Sequence, residues 1–138
     1  MTLVVNETPG ARKSRQQIYD GARGYHLRAE QFAQDNQRPS LIFNVGSVAI
    51  EHYLVALCAA HGRMPLNHTY TDLLETVEEV TTLPDSLADE IRALDRIFGL
   101  CSLEHYHHGT PEEEDAQTVL RLCRALHDLV PCPDPVPG

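Results

Sequence analysis

The stretch that decides the fold is residues 40–61, SLIFNVGSVAIEHYLVALCAAH. A helix built from it is apolar on nearly every side, and a helix of that kind lies inside a bundle of other helices. Its polar residues Asn44, Ser47 and Glu51 follow one another at i, i+3 and i+7, so they form one narrow stripe. The sequence therefore predicts a buried central helix whose polar stripe either faces water or lines a polar site.

Apolar residues at steps of three and four predict further helices on both sides of this stretch, within residues 12–36, 69–80, 85–101 and 110–130. Pro39 suits the first turn of the central helix, and Gly62 suits the residue that follows its end. Thr69 is the expected N-cap of the third helix. For the fifth helix we expect Thr110 as N-cap, Pro111 as first residue and Glu113 as reciprocal partner.

No segment of useful length alternates apolar and polar residues with a period of two, as a half-buried strand would. The predicted class is all-α, an antiparallel bundle of about five helices with an up-and-down path. Its predicted divisions are a flexible N-terminal arm (1–11), one helical-bundle domain (12–130) and a Pro-rich tail (131–138). In the first helix, Gly21 and Gly24 each cost roughly 1 kcal/mol of helix propensity, which indicates either close helix contact or a kink.

The charge balance argues against a general nucleic-acid binder. The 138 residues carry a net charge of −9, which repels polyphosphates at long range. Residues 12–28 hold a basic run that we expect to be a solvated helix face. The longest unbroken apolar run, residues 53–60, is too short to span a bilayer, and the N-terminus has no signal-peptide pattern. We expect a cytoplasmic protein with buried free thiols, without membrane attachment and without a cofactor.

The histidine-rich segment 104–108 is the first candidate site. His105 and His108 share a face if this turn is helical, and with Tyr106 they could contact a phosphate or, given further ligands, hold a metal ion. The alternative is a solvated junction. Glu51 is the second candidate, because a buried carboxylate needs a partner, although a partly exposed Glu is the plainer interpretation. His26 and His61 are expected at the surface.

Residues 18–130 resemble a HEPN domain, the small helical domain named for higher eukaryotes and prokaryotes nucleotide-binding. The resemblance rests on an alanine-rich first helix, on Ala49-Ile50-Glu51 in the central helix, and on the segment from Gly62 through Pro65 to His68. Glu104-His105-Tyr106 falls where many members carry Arg-Tyr-Pro. The family includes metal-independent RNases and toxins, non-catalytic partners of a small nucleotidyltransferase, and nucleotide-binding proteins.

This chain departs from the RNase pattern, which needs an Arg and a His separated by four to six residues near the last helix. Arg96 and His105 are too far apart, and no Arg stands at position 105. Arg63 with His68, and Arg121 with His127, have the required spacing in the wrong segments. A chain with ten Arg and eight His in 138 positions produces roughly two such spacings by chance, so these two carry no information.

The leading hypothesis is a HEPN-like binding or partner module, dimeric, without a competent nuclease motif. The resemblance implies a nucleotide or nucleic-acid phosphate as ligand, or a nucleotidyltransferase as partner. The expected ligand-binding residues are Asn44, Ser47, Glu51, His105, Tyr106 and His108. One alternative is a divergent RNase of toxin–antitoxin type, which would use Glu51, His105, Tyr106 and His108. A second alternative is a metal-binding bundle.

Overall fold

The computed structural model describes residues 14–101 and 111–133, with the side chains of 95–101 left outside the description. Over these ranges the chain forms five helices: α1 (Arg15–Gln34), α2 (Pro39–Ala60), α3 (Tyr70–Val80), α4 (Asp85–Cys101) and α5 (Glu113–Leu129). The same ranges contain no strand. The predicted all-α helical bundle is therefore confirmed.

Helix α2 is the interior element that the sequence predicts. It contacts α1, α3 and α5. Its buried residues occur on successive turns and on all sides: Ile42, Phe43, Gly46, Ser47, Ala49, Ile50, Tyr53, Leu54, Val55, Ala56, Leu57 and Cys58. Within the described ranges it is also the one helix long and apolar enough to cross a membrane, yet 67% of that window is buried. The core helix of a soluble protein has the same properties, so this finding is consistent with a soluble protein.

The boundaries of α1 and α2 follow from local chemistry. Ser14 caps α1, its side chain accepting a hydrogen bond from the Gln17 backbone N–H while the Gln17 side chain accepts one from the Ser14 N–H. In the turn to α2, Asn36 adopts φ 58°, a left-handed conformation that Asn tolerates. Pro39 is the first residue of α2, and Gly62 lies beyond its end with φ +76°, as predicted.

The starts of α3 and α5 can be compared with the starts predicted from the sequence. Thr69 is the N-cap of α3, with its hydroxyl accepting from the Asp72 N–H at 3.1 Å. The predicted start of α5 is wrong. Pro111 is not helical, and α5 begins at Glu113 with Glu112 as N-cap and Asp115 as reciprocal partner. The acidic first turn explains the later start, because carboxylates there accept from free backbone N–H groups and favour the positive end of the helix dipole.

Helices α2 and α5 approach each other most closely at Gly46. A Cβ atom at this position would lie only 2.3 Å from Val119 Cγ1. One turn further along α5, the Cys123 thiol donates to the Gly46 carbonyl oxygen at 3.3 Å. The missing side chain at Gly46 therefore sets the distance between the central helix and α5.

Candidate functional site

The three residues of the α2 stripe differ in their solvent exposure. Asn44 is exposed, Ser47 is buried and Glu51 is partly exposed. Tyr70, the first residue of α3, covers the middle of the stripe, and its hydroxyl donates to the Ser47 carbonyl oxygen at 2.7 Å. The Ser47 Oγ has no hydrogen-bond partner within the described ranges. The stripe therefore does not form one continuous open surface.

At the other end of the stripe, Glu51 meets a histidine that the sequence analysis did not select as a site residue. His68 Nδ1 lies 2.9 Å from Glu51 Oε2, with the two side chains 51% and 33% exposed. Because a carboxylate only accepts, Nδ1 carries the proton of this bond. His68 Nε2 has no hydrogen-bond partner among the described residues and remains available to a ligand. The signal was present, since Glu51 and His68 both belong to the segments that carry the family resemblance.

The cleft next to the loop that carries His68 is acidic, and neither Glu51 nor His68 is part of its lining. The α2–α3 loop (residues 61–69) and the adjoining face of α3 enclose a cleft of about 230 Å³. Its lining is Arg63, Met64, Leu66, Asn67, Asp72, Glu75, Thr76 and Glu79. The one guanidinium in this lining is ion-paired with Glu79. The cleft therefore favours a positively charged group over a phosphate.

The two arginines that match the RNase spacing are both engaged by carboxylates. Arg63 pairs with Glu79, and Arg121 donates two hydrogen bonds to Glu90, one of them at 3.0 Å. The Arg121 guanidinium lowers the pKa of Glu90. A phosphate would have to compete with a carboxylate for either guanidinium.

A buried polar network that the sequence analysis missed joins α1, α2 and α5. His26 was expected at the surface, but this prediction is wrong: the residue is only 5% exposed. Its Nδ1 lies 2.8 Å from the Tyr53 hydroxyl, and its Nε2 lies 3.0 Å from Glu30 Oε2. Arg124 of α5 donates two hydrogen bonds to Glu30, at 2.8 and 2.7 Å. Long-range partners therefore allow an imidazole to occupy a core position of α1.

The geometry assigns the protons of this network. The Glu30 carboxylate only accepts, so His26 Nε2 carries a proton and, in the neutral ring, Nδ1 accepts from the Tyr53 hydroxyl. Burial lowers the pKa of His26, which keeps the ring neutral. The hydrogen bond from Arg124 lowers the pKa of Glu30. Each group therefore has the protonation state that its partners require, which makes this network a structural element.

The predicted histidine junction, with His105, Tyr106 and His108, lies outside the described residues. Within the described ranges no group of three or more His, Cys, Asp or Glu side chains is arranged to hold a metal ion. The described thiols of Cys58 and Cys123 are buried and free, as expected, whereas Cys132 is exposed.

Fold and site together define an all-α bundle whose conspicuous polar pair, Glu51 and His68, joins the central helix to the loop that follows it. The chain belongs to the HEPN domain family, whose model matches residues 18–132. No curated protein and no solved structure matches the chain significantly. The predicted resemblance is therefore confirmed over most of the chain, and membership suggests a nucleotide-binding or RNase-like module.

Proposed function

We propose that this protein is a HEPN-domain partner module that binds another protein chain through its α2–α3 loop. The observation that carries the proposal is the exposure of two apolar side chains in that loop. Leu66 is 96% exposed and Met64 is 53% exposed. Single exposed apolar residues are common, but two in one short loop beside a cleft resemble the apolar centre of an interface.

The charge around the loop supports a basic partner surface. The neighbouring cleft is lined by Asp72, Glu75 and Glu79, of which Glu79 alone is paired with an arginine. The chain as a whole has a net charge of −9. Complementary charge steers association and disfavours partners of the same sign, so the partner should present an apolar residue flanked by Lys or Arg.

By family resemblance, we propose as this partner a small nucleotidyltransferase encoded beside this chain. We further propose a homodimer in the cytoplasm. A nucleotide or RNA phosphate at Asn44, Ser47, Glu51, His105, Tyr106 and His108 remains part of the proposal. The burial of Ser47 does not support that site, whereas the exposed Leu66 and Met64 support a protein partner, so the protein partner is the function the geometry favours.

The experiment measures binding of the full-length chain to the neighbouring nucleotidyltransferase by titration calorimetry. Leu66→Ser should weaken binding by about tenfold or more, because truncating an apolar anchor at an interface centre costs roughly 2 kcal/mol. Leu27→Ser is the matched control, since Leu27 is exposed on α1, away from the loop. Equal affinities for the Leu66→Ser variant and the wild type would refute the proposal.

Charge is tested separately from the apolar anchor. Glu75→Gln should weaken the same complex modestly and reduce its sensitivity to salt, because surface electrostatics are screened by ions. Glu113→Gln, on the exposed first turn of α5, should leave both the affinity of the complex and its sensitivity to salt unchanged. The absence of complex formation with the wild-type protein at any salt concentration would also count against a partner role.

One observation favours a second candidate, a divergent RNase of toxin–antitoxin type. In the Glu51–His68 pair a carboxylate orients an imidazole, and the free Nε2 could act on a 2′-hydroxyl as a general base. On this alternative His105, Tyr106 and His108 would complete the site. RNA cleavage that is lost in His68→Ala, or in His105→Ala with His108→Ala, and kept in His61→Ala would establish it. His61 is the matched control because it is an exposed histidine at the end of α2.

The metal-binding alternative depends on the same histidine junction. Elemental analysis of the purified chain tests it directly, and stoichiometric zinc, copper or nickel that is lost in the His105→Ala and His108→Ala variant would support it.

A further inference from the structure

The outer face of α1 carries a groove whose charge is opposite to that of the cleft beside the α2–α3 loop. The groove encloses about 250 Å³ and is lined by Gly21, Gly24, Tyr25 and Arg28. These residues lie at helical steps of three and four, so they form one stripe, the α1 stripe. The lining of the groove contains no acidic residue, whereas three acidic side chains line the cleft.

Arg28 is the cation of the α1 stripe, and no carboxylate neutralises it within the described ranges. Its side chain is exposed. Four other arginines of the bundle are ion-paired: Arg63, Arg92, Arg121 and Arg124. A guanidinium without a partner favours a carboxylate that another chain brings to it, because two of its N–H groups can donate to one carboxylate.

Tyr25 and Gly24 give the α1 stripe an apolar surface. The Tyr25 ring is 38% exposed and lies against His52 of α2, with ring centroids 5.1 Å apart. His52 Nδ1 lies 2.8 Å from the Val48 carbonyl oxygen, and this contact holds the imidazole in place. A Cβ atom at Gly24 would meet nothing within 4 Å, so the helix surface beside the ring is open. The α1 stripe therefore complements an apolar side chain that is flanked by carboxylates.

The α2–α3 loop and the adjoining face of α3 present the side chains that this surface complements. Leu66 is 96% exposed and borders the same cleft as Glu75. Glu75 is exposed and has no ion-pair partner among the described residues. A partner of this loop should present an apolar residue beside Lys or Arg, and Tyr25 with Arg28 meets that requirement. One chain therefore carries both halves of a protein–protein interface.

The two halves border the same exposed side of α2. Tyr25 lies against His52, and His68 of the loop bonds to Glu51, the residue before it. Both α2 residues are partly exposed. Their side chains diverge by about 100° around the helix, so α1 borders this side of α2 at one edge and the loop borders it at the other. A two-fold axis over Glu51 and His52 therefore brings the α1 stripe of each copy to the loop of the other.

We propose that two copies of this chain form a two-fold dimer in which the α1 stripe of each copy docks the α2–α3 loop of the other. Leu66 of one copy packs on Tyr25 of the second, and Glu75 pairs with Arg28. The dimer covers the loop and so competes with the complex of that loop with its protein partner. This competition rests on the proposed function, whereas the dimer contact does not.

The test is sedimentation equilibrium of the full chain with charge-reversed variants. Arg28→Glu and Glu75→Arg should each weaken the dimer about tenfold or more, because each places like charges together in both contacts. An equal mixture of the two variants should form a dimer as tight as the wild type, because every contact of the mixed pair joins opposite charges. Arg38→Glu is the matched control, since this exposed arginine lies at the opposite end of α2 from the loop.

Covering of the loop is measured without any protein partner. Met64 is 53% exposed in the single chain, so peroxide should oxidise its thioether readily. At concentrations where the wild type is dimeric, oxidation of Met64 should be several-fold slower than in Arg28→Glu, as mass spectrometry of the digest would show. Equal oxidation rates in a dimeric wild type and in Arg28→Glu would mean that the dimer leaves the loop uncovered, and would overturn the proposal.

The remaining outcomes separate this dimer from the proposed function. A wild-type chain that stays monomeric at millimolar concentration, a dimer that survives both charge reversals, or a mixture that stays monomeric would each overturn the dimer. A monomeric chain whose nucleotidyltransferase complex is weakened by Leu66→Ser would overturn this inference and leave the proposed function standing. Restoration of the dimer by mixing, in a chain that binds no nucleotidyltransferase, would support the dimer alone.

Discussion

Gly46 and Val119 are in such close contact that a single added methyl group cannot be accommodated: a Cβ atom on Gly46 would lie 2.3 Å from Val119 Cγ1. Both residues are buried, on α2 and α5 respectively. The spacing of the two helices at the centre of the bundle is therefore fixed by the absence of a side chain.

Replacing Gly46 with alanine should destabilise the protein by about 1–3 kcal/mol despite the better helix propensity of alanine, because overpacking forces the helices apart. Urea unfolding followed by circular dichroism measures this loss. Adding Val119→Ala should restore part of it by making room. A Gly46→Ala protein as stable as the wild type would contradict the observed packing.

Tyr53→Phe should cost about 1–3 kcal/mol, because it leaves the buried His26 Nδ1 without its hydrogen-bond donor. Tyr25→Phe is the control, since that hydroxyl is not part of the network. In a double-mutant cycle with His26→Phe, the combined loss should be smaller than the sum of the two single losses. Additive losses would mean that the 2.8 Å contact contributes little.

Stability should rise with pH below neutrality because of His26. Burial lowers the pKa of His26 from 6.5 in the folded protein, so between the folded value and 6.5 the unfolded chain binds more protons. The stability from the neutral ring is present above pH 6.5 and is lost as the pH falls through the folded pKa. The groups facing this ring are Glu30, Tyr53, His127 and Arg23.

A second acid-side loss should follow below pH 4.5. Hydrogen bonding from Arg124 lowers the pKa of Glu30 from 4.5, so its stabilising contribution is present above that pH and disappears as the carboxylate is protonated. The loss of stability that belongs to His26 is measured by urea unfolding midpoints from pH 4 to 8. This step should appear in wild-type protein and in His61→Gln. The step should be absent in His26→Gln, and its persistence there would assign it to another group.

The buried thiols should react more slowly with an alkylating reagent than the exposed one. Burial raises the pKa of Cys58 to about 11 and that of Cys123 to about 12, so neither forms much thiolate at pH 8. In a Cys101→Ser background, iodoacetamide should label Cys132 rapidly and the two buried thiols only after unfolding. Mass spectrometry of the native digest measures this, and rapid native labelling of Cys123 would contradict its packing against Gly46.

Much of the fold could be predicted because local signals coincide with tertiary contacts. The apolar character of α2, the proline at its start and the glycine after its end all indicate the element that the structure contains. The predicted start of α5 is two residues too early, because Thr-Pro is a strong local signal and the acidic residues that follow it satisfy the same backbone groups two residues later.

The candidate site was less predictable because its contacts span long sequence separations. The sequence predicts His26 at the surface, whereas His26 is buried because Tyr53, on another helix, provides its partner. His68 was overlooked for a similar reason, since Glu51 lies on α2 and the pair forms only when the loop folds back. Pattern analysis finds apolar faces well but cannot assign partners to polar side chains.

The uneven way in which α2 and α4 are surrounded has a consequence for hydrogen exchange. Helix α2 contacts α1, α3 and α5, whereas α4 contacts only α3 and α5 among the described helices. Amide protons of α2 should therefore exchange with deuterium only through global unfolding. Those of α4 should exchange through a local unfolding of lower free energy, which leaves the α1–α2–α5 unit intact. The bundle then consists of a slow-exchanging α1–α2–α5 unit, α3 packed against α2, and a more readily detached α4.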